Sequence, residues 1–365
     1  MKIGCARHCL SPKQDPFYLI GFRSPNRMEP SSGIHDDIYC NALLFEQDGK
    51  RLFLFSADFL EFEEPMAEDV KTLMLDKYGL ERDCLLLAAT HNHSSVVGYH
   101  KGWYTGKYDQ RYYDFLIDTI CCSYEECAAN LRPATAKIGR KVITGYYGNR
   151  NHPGQLADNE VAVVKFFDES GTAFAGFVNW AVHSTVISGD NTWLTAEWAG
   201  NVSKKLGDVF GFYPAMMVGA AGDCSNRNER QGKDFNELER VSTGMAEEIA
   251  AIPVEKDVDL DRLTVQTLFH TVHSSSFHLD AKAWVISLGG LQIFVFPGEL
   301  GSAFGIQMKE NCPVEAVVCG YTNGYYEYFL PAAEYGLSFE TKDSPVPRGE
   351  PEKLIQKYIQ VSNTI

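Results

Sequence analysis

Short apolar runs alternate with stretches of helical spacing along the whole chain. Lys2 to Leu10, Ile38 to Phe45 and Arg51 to Ala57 read as strands, the last two joined at Asp48-Gly49, a hairpin turn signal. Glu64 to Tyr78 has helical spacing, with Pro65 in its first turn and Gly79 at its stop. Cys84 to Ala88 is a buried-strand run, and Asp114 to Asn130 an amphipathic helix that follows a loop rich in aromatics from Tyr99 to Tyr113. Ala134 to Tyr146 is a strand. Val161 to Phe167 and Ala173 to Trp180 form a hairpin, followed by a helix at Ala196 to Phe210, a strand at Ala215 to Val218 and a helix at Phe235 to Ala251. Leu263 to Phe277 alternates like an edge strand. Ala283 to Leu288 and Leu291 to Phe296 make another hairpin, about Gly289-Gly290. A helix over Ala303 to Asn311, a strand over Val314 to Cys319 and a short helix over Glu352 to Tyr358 complete the pattern. Strands alternating with both helices and hairpins predict an α/β fold with layered mixed β-sheets and flanking helices. No internal repeat is visible in the sequence. One domain is expected over 1–340, with a Pro-rich extension and short helix over 341–365.

The chain has 365 residues, 45% hydrophobic and 22% charged, ample for a sizeable core. Its net charge of -15, with no Lys/Arg cluster, argues against nucleic acid or an anionic membrane as partner. No run approaches the ~18 apolar residues of a membrane span, and Met1 to Cys5 opens no leader-like apolar segment. The ten cysteines are scattered, several in apolar runs such as those at Cys40, Cys84 and Cys319. Reduced thiols and a cytoplasmic location are expected. Oligomeric state is not legible.

Four apolar strands end in chemistry-bearing residues. They run into Thr90-His91-Asn92-His93-Ser94, Ala181-Val182-His183-Ser184, Pro297-Gly298-Glu299, and Asn323-Gly324-Tyr325 through Tyr328. Strand ends on one edge of a sheet can converge on one site. Histidine nitrogens with a carboxylate suit zinc. The competing reading is ordinary: hydrogen-bonded histidines near turns, a turn glutamate and packing tyrosines. A fifth strand opens into Gly219 to Asn226, a turn of small residues holding Ser225.

Six motifs, in order and spanning most of residues 3–340, resemble the N-terminal catalytic domain of the neutral/alkaline non-lysosomal ceramidases. They are Gly33-Ile34-His35-Asp36, Ala89 to Ser94, Asn149-Arg150, Ala181 to Ser184 with Ser188 to Asn191, Gly222 to Asn226, and Pro297-Gly298-Glu299 with Asn323 to Tyr335. The resemblance implies Zn2+ held by His91, His183, Glu299 and Tyr328, with Tyr325 as the reserve for the tyrosine. It implies catalytic roles for His93 at the substrate or oxyanion, Arg150 at the scissile carbonyl, and Ser225. Asp190 and Glu197 are candidate supports for the histidines. The activity implied is hydrolysis of a linear amide, the N-acyl bond of a small-molecule or lipid-like substrate, by a zinc-activated water. A metal-assisted esterase, a hydrolase of a non-lipid substrate, or a non-catalytic ligand-binding member of the fold are the alternatives. Two departures stand out. The family's later Tyr-Glu-Gly appears as Phe339-Glu340-Thr341, so either a catalytic hydroxyl is missing there or the alignment slips and Tyr335 replaces it. The family's C-terminal β-sandwich is expected to be absent.

Overall fold

The structure, a computed structural model, describes residues 1–273, 277–342 and 344–365. Three sheets organise it. The first contains β1 (Lys2–Cys9), β2 (Tyr39–Gln47), β3 (Lys50–Ala57), β4 (Leu85–Ala89) and the short β5 (Arg132–Pro133), in the order β4-β3-β2-β1-β5. The second contains β6 (Thr135–Val142), β7 (Glu160–Phe167), β8 (Ala173–Trp180), β9 (Ala215–Val218) and β10 (Lys256–Val258), in the order β9-β8-β7-β6-β10. The third runs β11 (Thr264–His273), β12 (His278–Ser287), β13 (Leu291–Val295) and β14 (Glu315–Cys319), in that order. Residues 274–276 of the predicted strand ending at Phe277 lie outside the described residues, as does residue 343 of the Pro-rich stretch.

The same topology occurs three times, although the sequence shows no repeat. Each sheet is an antiparallel three-strand meander, then a helix, then a fourth strand parallel to the third. The connecting helices are α1 (Glu64–Tyr78), α3 (Glu197–Phe210) and α5 (Ser302–Glu310), and α2 (Gln110–Ala129), α4 (Phe235–Ala250) and α6 (Glu350–Ser362) follow the fourth strands. A parallel pair needs a crossover, and a helix is the compact way to make one. The fourth strands, β4, β9 and β14, are buried along nearly their whole length, so they read as continuous apolar runs with no alternation. The main core lies between the first two sheets and their helices, and a second core packs the third sheet against α5 and α6 through Phe294, Met308, Leu354 and Tyr358.

The consequence for function is directional. In each parallel pair both carboxyl ends point the same way, and the loops that leave them carry the four signatures read from the sequence. Helix α2 begins four residues earlier than its spacing suggested, because the Asp109 side chain accepts from the Arg111 N–H and caps it. Tyr112 and Tyr113 are therefore helical and buried, as is Tyr99, which stacks on Phe59. Of the aromatic residues between Tyr99 and Tyr113, only Trp103 lines the cavity described below.

Candidate metal centre and its cavity

Two histidines two positions apart on a strand would share one side of its pleat, but strand β4 stops at Ala89, so His91 and His93 do not. They are brought together by a turn. His91 has φ 56°, a left-handed conformation that a side chain rarely adopts without support. Support comes from both flanks: Thr90 N–H donates to Ala57 O at 2.9 Å, and Asn92 N–H to Phe59 O at 2.9 Å. The buried Asn92 amide also ties Asp58 O (3.2 Å) to Thr195 O (2.7 Å). Tyr321, two residues past the end of β14 as His91 is past β4, has φ 52° and stacks on the His91 ring with centroids 4.1 Å apart. Phe22, Arg23 and Glu327 are also left-handed and line the same cavity. Strain concentrated around one cavity is a mark of a functional site.

Two tautomers follow from backbone partners. His91 Nδ1 lies 2.9 Å from Leu60 O, and His183 Nδ1 lies 2.8 Å from Ala221 O and 3.2 Å from Cys224 O. A carbonyl only accepts, so both Nδ1 atoms carry the proton and both Nε2 lone pairs point inward. There they meet a carboxylate. His183 Nε2 is 2.9 Å from Glu299 Oε2 without making a hydrogen bond, and His91 Nε2 is 3.6 Å from Glu299 Oε1. His93 Nε2 stands 3.1 Å from His91 Nε2, and the ring nitrogens of His91, His93 and His183 lie within 4.8 Å of one another. All four side chains except part of His93 are buried. Lone pairs facing a carboxylate in a dry site repel unless a cation sits among them. The donor set therefore fits a borderline metal such as zinc, and backbone carbonyls fix the rings as outer partners do at metal sites.

The ionisation states agree. Burial pushes His91 down to about 3, against the opposing pull of Glu299, and His93 is driven well below the ordinary histidine value, again chiefly by burial. Burial by itself would raise Glu299; positive charge at the His91 and His183 positions and on Arg150 more than reverses this, and with both imidazoles neutral that charge is left to Arg150 and to a cation among the lone pairs. Glu299 also accepts from two tyrosines, Tyr321 (3.1 Å to Oε2) and Tyr325 (to Oε1). Tyr328 is the register partner of Glu299 in a short parallel bridge, yet its hydroxyl is held by Arg150 Nη2 at 3.1 Å. The two candidate tyrosines thus sit on different partners, Tyr325 on the carboxylate and Tyr328 on the guanidinium.

Arg150 is buried. Its Nε donates to Glu340 Oε1 at 2.6 Å and its Nη2 to Gly222 O at 2.8 Å. Burial would lower its pKa, but Tyr328, Glu340 and Glu299 more than compensate, and the guanidinium stays charged. Ser225 lines the same cavity, and its Oγ accepts from the Arg227 N–H at 3.2 Å. No histidine or carboxylate is recorded on that Oγ among the described residues, so Ser225 lacks a base to make it a nucleophile. The cavity is about 490 Å³, within the ~300–1,000 Å³ of small-molecule sites.

Asp190 and Glu197 do not support the histidines. Glu197 is turned onto the Ile187 and Trp198 N–H groups, both at 2.6 Å, at the start of α3. Asp190 is exposed, and its backbone carbonyl accepts from Asn26. The residues that sequence reasoning missed are Tyr321 and Glu340. Tyr321 was legible only as part of a strand-end run, and Glu340 stood only as part of a departure.

Fold and cluster together define a layered α/β protein with a buried histidine–carboxylate centre at the strand ends. Residues 3–208, more than half of the chain, match the family described as neutral/alkaline non-lysosomal ceramidase, N-terminal, and the chain belongs to that family. It is 26% identical over 222 residues to the neutral ceramidase of Pseudomonas aeruginosa, a match covering 53% of this chain and 33% of that protein. It is 24% identical over 278 residues to neutral ceramidase A of Dictyostelium discoideum, covering 66% and 38%. The matches thus span little more than a third of these relatives. Among solved structures, the neutral ceramidase of P. aeruginosa superposes with a TM-score of 0.84 at 17% identity, and a ceramidase complexed with C2 with 0.86 at 16%. Each match covers 99% of this chain and 74% of the other, which shows a shared fold. No described helix is long and apolar enough to cross a membrane.

Proposed function

We propose that this chain is a metal-dependent hydrolase of an amide, N-acyl bond. His91, His183 and Glu299 hold a zinc ion in this reading. Tyr328, beside Glu299 in register, supplies the fourth donor, with Tyr325 as the alternative. The observation that carries it is the meeting of two inward-facing imidazole nitrogens with a buried carboxylate, His183 Nε2 without a hydrogen-bond partner and His91 Nε2 against His93, an arrangement that calls for a cation. Family membership and the names of the relatives support the amide bond.

A bound zinc ion supplies Lewis acidity and lowers the pKa of water to ~7, which suits hydrolysis at neutral pH. The chain's own residues do the rest. Arg150, charged and locked by Glu340 and Gly222, aims its remaining N–H groups at the carbonyl oxygen on which charge develops. One such donor is worth ~3–4 kcal/mol of barrier. His93, kept neutral by burial, contacts the substrate from the cavity side. Ser225 accepts from Arg227 and so retains its own proton to donate, which makes it an orienting group.

The test is a matched pair, an N-acyl amine and the corresponding ester, offered to protein purified without added metal. Amide hydrolysis that chelation abolishes and Zn2+ restores is expected. A fully metal-loaded protein that leaves every amide intact while cleaving esters would refute the amide reading.

A further inference from the structure

Three arginines of the cavity, Arg23, Arg227 and Arg230, have no carboxylate within ion-pairing distance among the described residues. What sets these three apart from the other arginines without an acid is that they line this cavity, where Arg150 alone of the lining arginines is paired, to Glu340. Three of the four acids of the cavity are already committed: Glu340 to Arg150, Glu61 to His100 at 2.9 Å, and Glu299 to the histidine cluster. The fourth, Glu327, is exposed and pairs with no cation among the described residues.

Two of the three are tied to loops beside the centre. Arg227 is two residues from Ser225, whose Oγ its backbone N–H engages. Arg230 donates from Nη1 to Thr185 O at 3.1 Å, two residues past His183. Partial burial, and then the neighbouring Arg227 charge, depress the Arg230 pKa. Neighbouring like charges, one of them partly dehydrated, are unfavourable in the free protein, and an anion between them relieves both terms.

We propose that the substrate carries an anionic oxyanion group, a carboxylate or a phosphate, close to the scissile bond, and that Arg227 and Arg230 bind it with help from Arg23. This rests on the hydrolase reading above and narrows it. The substrate class becomes N-acylated amino acids or phosphorylated N-acyl amines, in place of an N-acyl compound with a neutral head. Arginine suits either group, since its fork meets two oxygens at once.

The experiment uses three probes of equal acyl length: N-decanoylglycine, N-decanoyl phosphoethanolamine and neutral N-decanoylethanolamine. Binding to the full chain, stripped of metal, is measured by calorimetry. At least one anionic probe is expected to bind about tenfold more tightly than the neutral one. Arg227→Gln and Arg230→Gln should each remove most of that preference while leaving the neutral probe within about twofold. Which anionic probe is preferred separates the carboxylate from the phosphate source. Equal binding of all three probes, no binding of any, or a loss in the variants that ignores charge would overturn the inference. Turnover of the same probes after reloading with zinc keeps the two claims apart. Charge-selective binding with no hydrolysis refutes the hydrolase reading and leaves the anion site standing. Hydrolysis with no charge preference in binding does the reverse.

Discussion

Replacing Glu340 with Gln should weaken the protein far more than its size suggests. The carboxylate receives two donors: Arg150 Nε on Oε1 at 2.6 Å and Asn151 Nδ2 on Oε2 at 2.8 Å. Both side chains of the ion pair are nearly inaccessible to water. Gln has the same shape but one oxygen and one NH2 group, so one of the two donors must face another donor. An unsatisfied buried donor costs ~1–3 kcal/mol, and breaking a buried ion pair ~3–5 kcal/mol in all. Gly222 O and Tyr328 still accept from Arg150 and Glu299 still attracts it through space, which puts the expected loss near the lower bound, ~3 kcal/mol. With ~2.1 cal/mol/K of unfolding entropy per residue, a chain of 365 residues should lose about 4 °C in melting temperature. Differential scanning calorimetry reads this directly, and urea titration at fixed pH checks it. The Arg150→Gln, Glu340→Gln double variant should recover part of the loss, because no charge is left stranded. A Glu340→Gln melting temperature within about 1 °C of wild type would refute the claim that Arg150 depends on this carboxylate.

Further outcomes follow from other buried contacts. A Cβ at Gly4 would lie 1.9 Å from Cys127 O, backbone that cannot step aside, so Gly4→Ala should cost ~3 kcal/mol or more by urea titration. Arg27 is buried and serves three carbonyls, Gly21 O (3.2 Å), Asn191 O (2.5 Å) and His93 O (3.0 Å). Arg27→Met should strand them, lower stability by ~3 kcal/mol and loosen the loop beside His93, visible as faster amide exchange at Gly21–Arg23. Asp58 is raised by burial to about 7. A raised carboxyl stabilises below its unfolded pKa and loses that contribution as pH climbs through the folded one. Asp58 alone should therefore cost up to ~4 kcal/mol of stability between about pH 4 and 7, a fall that Asp58→Asn removes, while the separate fall due to Glu197, which is also raised to about 7, remains in that variant.

Most of the fold was legible because its strands are short and well punctuated. Helix α1 begins and ends at the residues its spacing, Pro65 and Gly79 indicate, and Gly79 closes it with φ 67°. Where boundaries moved, local capping decided them, as Asp109 did for α2. The threefold topology was not legible, since it resides in strand order and crossover direction and not in any repeated residue. At the site, strand-end patterns located His91, His93, His183 and Glu299, which the structure brings together. Tautomers could not be read from the chain, because they depend on carbonyls from Leu60, Ala221 and Cys224, distant in sequence from the rings they hold. The same holds for Arg150 and Glu340, 190 residues apart.

Metal content tests the central claim most directly. Protein purified untagged, without added metal, should contain close to one zinc per chain by elemental analysis, and His183→Ala and Glu299→Gln should each lose it while remaining folded. A wild type free of transition metal that also fails to take up zinc on dialysis, or variants that retain the ion in full, would contradict it.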